Sequence, residues 1–331
     1  MNSEFKELGF DKYFYSKGIR SIAGQFTQNN RCGIYILHFE NAEFYVGLAI
    51  DVVNRYAQHR LNHKDIEYVS FKEVPKTKLS EIEKETVYAL EKLKKPLRNI
   101  NIVSIVLGDT DLDLVVSKEE QNTWLTSELK LESLETVRFD YPELRKKYSK
   151  KFDTLLKHEL AEEIKNCLRA YVLSTIPYPR KTEYSFWSLS CLPSTHPDTL
   201  SRLNIFWQET FVLAQYELDE DIKTETENYG IGITIWVSKS KLNERWTEEK
   251  LKEKFQSLSF VDWVHDSGGI DQQCLSIESV EFNDFLFTEG IIDAAKDFNL
   301  RLMRKGGCVW NRYHCFDLAD LALDTSDLIS E

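Results

Sequence analysis

Residues 31–49 read RCGIYILHFENAEFYVGLA, and the reading of this stretch decides the fold of the first third of the chain. Two short apolar runs, Ile34 to Phe39 and Phe44 to Leu48, flank a polar turn that contains Asn41. Runs of that length around such a turn predict a β-hairpin. Each run carries a tyrosine beside a glycine and an aliphatic residue: Gly33-Ile34-Tyr35 in the first, Tyr45-Val46-Gly47 in the second. With one phenol near the start of the first strand and the other near the end of the second, antiparallel pairing sets the two side by side. Tyr35 and Tyr45 are therefore expected to converge on one spot.

Downstream of the hairpin, AIDVVNRYAQHRLNHK offers Asp51 as an N-cap, with Val52, Tyr56 and His59 or Arg60 recurring at helical spacing. The alternating run IEYVSFKEV (66–74) predicts a third strand that ends at Pro75. A helix is expected from Leu79 to Lys95, stopped by Pro96. Strand, strand, helix, strand, helix describes an α+β unit over residues 1–110, a three-stranded antiparallel sheet flanked by helices.

These residues resemble the GIY-YIG nuclease family over positions 33–99 and nowhere else. The pieces stand in order as Gly33-Ile34-Tyr35, Tyr45-Val46-Gly47, Arg55 with His59 one turn on, a helix glutamate, and Asn99 after Pro96. The resemblance implies a Mg²⁺-dependent (or Mn²⁺-dependent) enzyme that hydrolyses phosphodiester bonds, with both tyrosines, the arginine and the glutamate at the site. Nucleic acid is the expected partner, DNA in the first reading, with RNA left open.

The residue types suit those roles. Arg55 carries a permanent charge and a planar fork for phosphate oxygens. His59, at i+4, shares its face and titrates near neutrality. Tyr35 is a candidate general base, although a phenol with a reference pKa of about 10 needs a nearby metal or cation to serve as one. Tyr45 would position the phosphate or the attacking water, and Asn99 would orient the site through its amide. Of Glu81, Glu83 and Glu85, Glu83 falls within the stripe of Leu79, Ile82, Thr86, Leu90, Leu93 and Leu97. An inward carboxylate needs a partner, so Glu83 is the expected metal ligand in a single-metal mechanism, with Glu85 the alternative. The KLKKPLR run (92–98) makes Lys92, Lys94, Lys95 and Arg98 candidate contacts to the nucleic-acid backbone. His38 and His63 are read as bystanders.

Composition sets the wider frame. The formal net charge of the 331 residues is −12, yet it divides unevenly. Residues 1–100 hold 16 basic and 13 acidic side chains, against 26 and 41 in the remainder. Only the first third is electrostatically tolerant of polyanions. Six cysteines without a CxxC pair, no signal-like start and no apolar run of membrane length predict a cytoplasmic chain without a membrane partner. A connecting helix or linker is expected over 111–140, with a strand at 101–108 before it and a helix beginning at Ser117.

A second α+β domain, over 141–331, is expected to contain one long helix (141–176) and aromatic-rich strands around 183–192, 203–217 and 230–238. Further helices near 246–258 and 284–304 are separated by a strand at CLSIESVEF, and CVWNRYHCF (308–316) supplies a last strand. On such a strand His314 and Cys315 would point to opposite faces, so Cys308, His314 and Cys315 read as structural. Trp187, Trp207 and Trp236 read as core in preference to a base-stacking platform. This acidic domain is expected to set target choice or activity by engaging a protein partner or small ligand, with restriction or anti-phage defence as the favoured setting. Two alternatives stand beside that reading: a nuclease fold that only grips nucleic acid, and a sensing domain that holds the nuclease off.

Overall fold

The computed structural model describes residues 3–126, 136–218 and 228–325. It divides between Gly108 and Asp109 into two units, each α+β.

The first unit contains a four-stranded antiparallel sheet in the order β1 (Lys12–Tyr15), β4 (Ile66–Glu73), β2 (Gly33–Phe39), β3 (Phe44–Ala49). Three strands were expected from the sequence. The additional β1 is four residues long and pairs Lys12 with Phe71 through Tyr15 with Tyr68. Every residue of β2 is buried, so the sheet is covered on both faces. On one side Tyr35, Leu37, Phe39, Val69 and Phe71 pack against Val52, Val53 and Tyr56 of α2 (Val52–Asn62). On the other, Ile34, Ile36 and Val46 meet Phe5 of α1 (Ser3–Glu7) and Leu79, Val87 and Leu90 of α3 (Leu79–Lys92). Full burial of each such side chain contributes about 1.5–3 kcal/mol.

Asp51 caps α2 as expected, its Oδ1 accepting from the N–H groups of Val53 and Asn54 at 2.9 and 3.1 Å. α3 ends three residues before the position read from Pro96, and Leu93 is exposed. Residues 101–108 form turns and bends in place of the expected strand.

The register corrects one expectation. Tyr45 is the second residue of β3, near its start, and lies opposite Leu37, whereas Tyr35 lies opposite Gly47. The phenols are diagonal neighbours, with ring centroids 6.3 Å apart.

The second unit is built on a six-stranded antiparallel sheet. Its order is β5 (Trp187–Cys191), β6 (Thr199–Ile205), β7 (Gln208–Glu217), β8 (Tyr229–Val237), β10 (Gln273–Glu278), β9 (Ser259–Val261). Trp187, Trp236, Leu203, Phe211 and Ile235 sit in one continuous core with helices Ala161–Thr175, Ile291–Met303 and Phe316–Leu323, whereas Trp207, expected in the core, is exposed at a turn. Tyr171 stacks on Phe211 at 4.4 Å.

Several boundaries depart from the sequence reading. The single helix expected over 141–176 is two, Pro142–Leu156 and Ala161–Thr175. Between them the His158 ring accepts from the Leu160 N–H at 3.2 Å, a local bond that competes with helix continuation. The helix expected near 246–258 is one shorter helix, Glu248–Lys254, and that expected near 284–304 is split into Ser279–Leu286 and Ile291–Met303. The expected linker is part of this unit, since Leu112, Val116 and Trp124 join its core; positions 127–135 of that segment lie outside the described residues. CVWNRYHCF forms a loop and a short 3-10 turn in place of a strand, and Phe316 begins a helix. His314 there is structural: Nδ1 accepts from Leu189 N–H at 3.0 Å, and Nε2 reaches the buried Glu183 carboxylate at 3.1 Å.

Candidate active site

The site forms on the α2-covered face of the sheet and at its β3 edge. Arg55 and His59 project from α2 toward the two phenols. Tyr35 Oη and His59 Nε2 share a 2.7 Å hydrogen bond, and Arg55 Nε donates to the same phenol oxygen at 3.4 Å. Arg55 also faces Tyr45, whose ring centroid lies 4.8 Å from that of His59. With a lone pair of the Tyr35 oxygen taken by Arg55, the phenol proton is directed to His59 Nε2. That assignment leaves the imidazole proton on Nδ1.

The electrostatics match a neutral histidine beside a fixed cation. Burial, with the nearby Arg55 and His63 adding to it, pushes the His59 imidazole down to about 4. Burial likewise pushes the Tyr35 phenol well above its ordinary value; Tyr45 adds to this and Arg55 opposes it. Tyr45 is raised for the same first reason. Tyr35 is therefore held as the neutral phenol, with His59 Nε2 placed to take its proton. Arg55 itself is exposed, with its guanidinium steadied by Gln58 Oε1 at 3.1 Å. Gln58 went unnoticed in the sequence; its i+3 spacing from Arg55 was the available signal.

The outer edge of β3 gathers the remaining candidates. Alternate residues Phe44, Val46 and Leu48 turn backbone groups outward, where an open strand edge would leave them unpaired. Phe44 exchanges bonds with Pro96 O and Arg98 N–H at 2.9 and 2.7 Å. Val46 is held by Asn99, whose Oδ1 accepts from its N–H at 3.0 Å and whose Nδ2 donates to its carbonyl at 2.8 Å. The Leu48 N–H donates to Glu83 Oε1 at 3.1 Å. Asn99 thus acts on the hairpin backbone, fixing the strand that carries Tyr45.

Glu83 is half-buried, while Glu81 and Glu85 are exposed, as the helical stripe predicts. Burial raises the Glu83 carboxyl, against the pull of the Leu48 N–H and of Arg55. Its second oxygen has no partner among the described residues. No group of three or more His, Cys, Asp or Glu able to hold a metal gathers among those residues. Mg²⁺ that keeps most of its waters needs only one or two carboxylates, and Glu83, raised by burial and with an oxygen to spare, fits that demand.

The expected basic patch is placed less favourably. Arg98 is engaged within the fold, with Nε 2.5 Å from Glu43 Oε2 and Nη2 2.5 Å from Asp65 Oδ2, over the Phe39 ring at 3.5 Å. Lys95 pairs with Glu4 at 2.8 Å. Lys92 and Lys94 are exposed. His63 lies between His59 and Arg98, and His38 is buried on Ser70 Oγ at 2.8 Å.

The chain matches no known family model, no curated protein and no solved structure.

Proposed function

We propose that the first unit is a nuclease of the GIY-YIG kind that hydrolyses phosphodiester bonds, of DNA in the first instance. The observation that carries this reading is the convergence of Tyr35, Arg55 and His59 in one hydrogen-bonded set, with Tyr45 and Glu83 beside it. Arg55 binds the phosphate and offsets the charge that develops on it. Tyr45 orients the attacking water. As water attacks phosphorus, its proton passes to the Tyr35 oxygen while the Tyr35 proton moves to His59 Nε2, and the bond from phosphorus to the leaving sugar oxygen breaks, that oxygen taking a proton from solvent. The negative phosphate beside His59 raises the basicity of the imidazole at that moment. Glu83 is the residue that would hold Mg²⁺, which when bound supplies Lewis acidity at the phosphate. The second unit, acidic and without resemblance to a nuclease, is assigned to control or target choice, and restriction or anti-phage defence fits such a pairing.

The test is cleavage of supercoiled plasmid, linear duplex, and single-stranded DNA and RNA by the full chain with Mg²⁺ or EDTA. Wild type is compared with Glu83→Gln and Arg55→Ala. Magnesium-dependent cutting that falls at least about a hundredfold in both variants supports the reading. Equal cutting by all three proteins refutes the site, and tight binding without cutting by any of them makes the unit a binding module.

A further inference from the structure

The second unit contains a cavity of about 680 Å³, inside the range of about 300–1,000 Å³ that takes small ligands. Its floor comes from the strand pattern. Leu189, Leu203, Ile205, Phe211 and Leu213 build the apolar core, while Ser190, Arg202 and Asn204 alternate with core residues and line the cavity; Glu209 joins them because the register shift between Leu203 and Asn204 sets it opposite Asn204. Asn204 is only 7% exposed, and its side-chain amide has no hydrogen-bond partner among the described residues. Without such a partner, the amide's donors and acceptor are open to the cavity and available to a ligand. Glu209, also buried, holds Arg202 Nε at 2.8 Å, which leaves carboxylate and guanidinium together as an acceptor and donor pair on the floor.

The walls are of two other kinds. Lys147 and Lys151 reach the cavity from helix Pro142–Leu156, and among the described residues neither pairs with a carboxylate. With Arg202 they set three cations against Glu209, in the part of the chain where acids outnumber bases. The third wall is aromatic: Trp207, Trp310 and Tyr313. Trp207 is 57% exposed at the two-residue turn between β6 and β7. The turn is held with Phe206 at φ 54°, a left-handed position that hairpins of this kind give to glycine. A bulky residue kept there, buried under the turn, carries the neighbouring indole outward.

We propose that this cavity is a nucleotide site, with the base against Trp207 and Trp310, its polar edge on Asn204 and the Glu209–Arg202 pair, and its phosphate on Lys147 and Lys151. Aromatic faces accept any base, cations accept phosphate, and an amide beside a carboxylate reads the donors and acceptors of a base edge. The site is complete within the second unit and does not depend on the nuclease reading of the first.

The experiment is calorimetric titration of the full chain with AMP, GMP, CMP and UMP, each beside its nucleoside, and with inorganic phosphate. At least one mononucleotide binds more tightly than about 1 mM and about tenfold or more tighter than its nucleoside or phosphate alone. Trp207→Ala weakens that binding about tenfold or more, and Lys147→Gln weakens the nucleotide but not the nucleoside. Both substitutions replace exposed side chains, and an unchanged circular dichroism spectrum certifies the fold. Absence of binding by all four nucleotides overturns the proposal. So does binding indifferent to both substitutions, or a nucleoside or phosphate that binds as tightly as the nucleotide.

Discussion

The Tyr35 ring lies across Gly47, its partner in the β2–β3 register, so closely that a Cβ at position 47 would overlap the phenol. The glycine is the space into which the tyrosine leans, and the lean brings its oxygen to His59 and Arg55. Gly47→Ala is expected to displace the ring, destabilise the first unit by about 1–3 kcal/mol through overpacking, and depress cleavage beyond what the stability loss explains. Urea unfolding and a cleavage assay below the transition check both effects.

His59 is expected to titrate near 4 by NMR. Arg55→Ala removes a repelling cation and moves that value upward, while burial, the larger cause, keeps it below the ordinary figure of about 6.5. A His59 resonance that titrates at its ordinary value in the wild type would show that burial and Arg55 do not depress the imidazole as the geometry requires.

Asn99→Asp tests the edge. A carboxylate can still accept from Val46 N–H, but it cannot donate to the Val46 carbonyl as the amide does. A loss of about 1–3 kcal/mol is expected for the carbonyl left unpaired. Hydrogen exchange at Val46 should rise more than at Ile36 in the middle of the sheet.

His38 makes stability depend on pH with a definite sign. Burial lowers its folded-state value to about 4, so between about 4 and 6.5 the unfolded chain holds the additional proton. Its contribution is present above about pH 6.5 and is lost as pH falls toward 4, by an amount of order 1–3 kcal/mol. In His38→Gln, the plot of unfolding free energy against pH should be flatter across that window.

What the sequence disclosed follows the reach of local patterns. The hairpin, the Asp51 cap and the inward face of α3 are written in spacings of two and of three to four, and all three are present. β1 escaped because four residues with polar neighbours carry no period of their own; pairing with β4 makes them a strand. The run from Cys308 to Phe316 reads as a strand from its apolar content, yet it forms a loop and a 3-10 turn in which only Cys308, Cys315 and Phe316 of its apolar residues are buried. Among the site residues, Arg55 and His59 were legible as a helical pair. The engagement of Arg98 by Glu43 and Asp65 was not, since it joins positions 55 and 33 residues apart. The cavity of the second unit draws on several elements and has no linear signature beyond the aromatic pair Phe206-Trp207 at a turn.

Glu83 carries two obligations at once, since the oxygen that pairs with Leu48 N–H closes the sheet edge while the carboxylate charge is what chemistry would use. The fold and the proposed reaction therefore both draw on the same side chain. A lineage that abandoned cleavage would not be free to drift at this position: glutamine keeps the acceptor and discards the charge, whereas alanine forfeits both. An amide at position 83 is thus the substitution that gives up the charge the proposed reaction needs while the sheet keeps its edge closed.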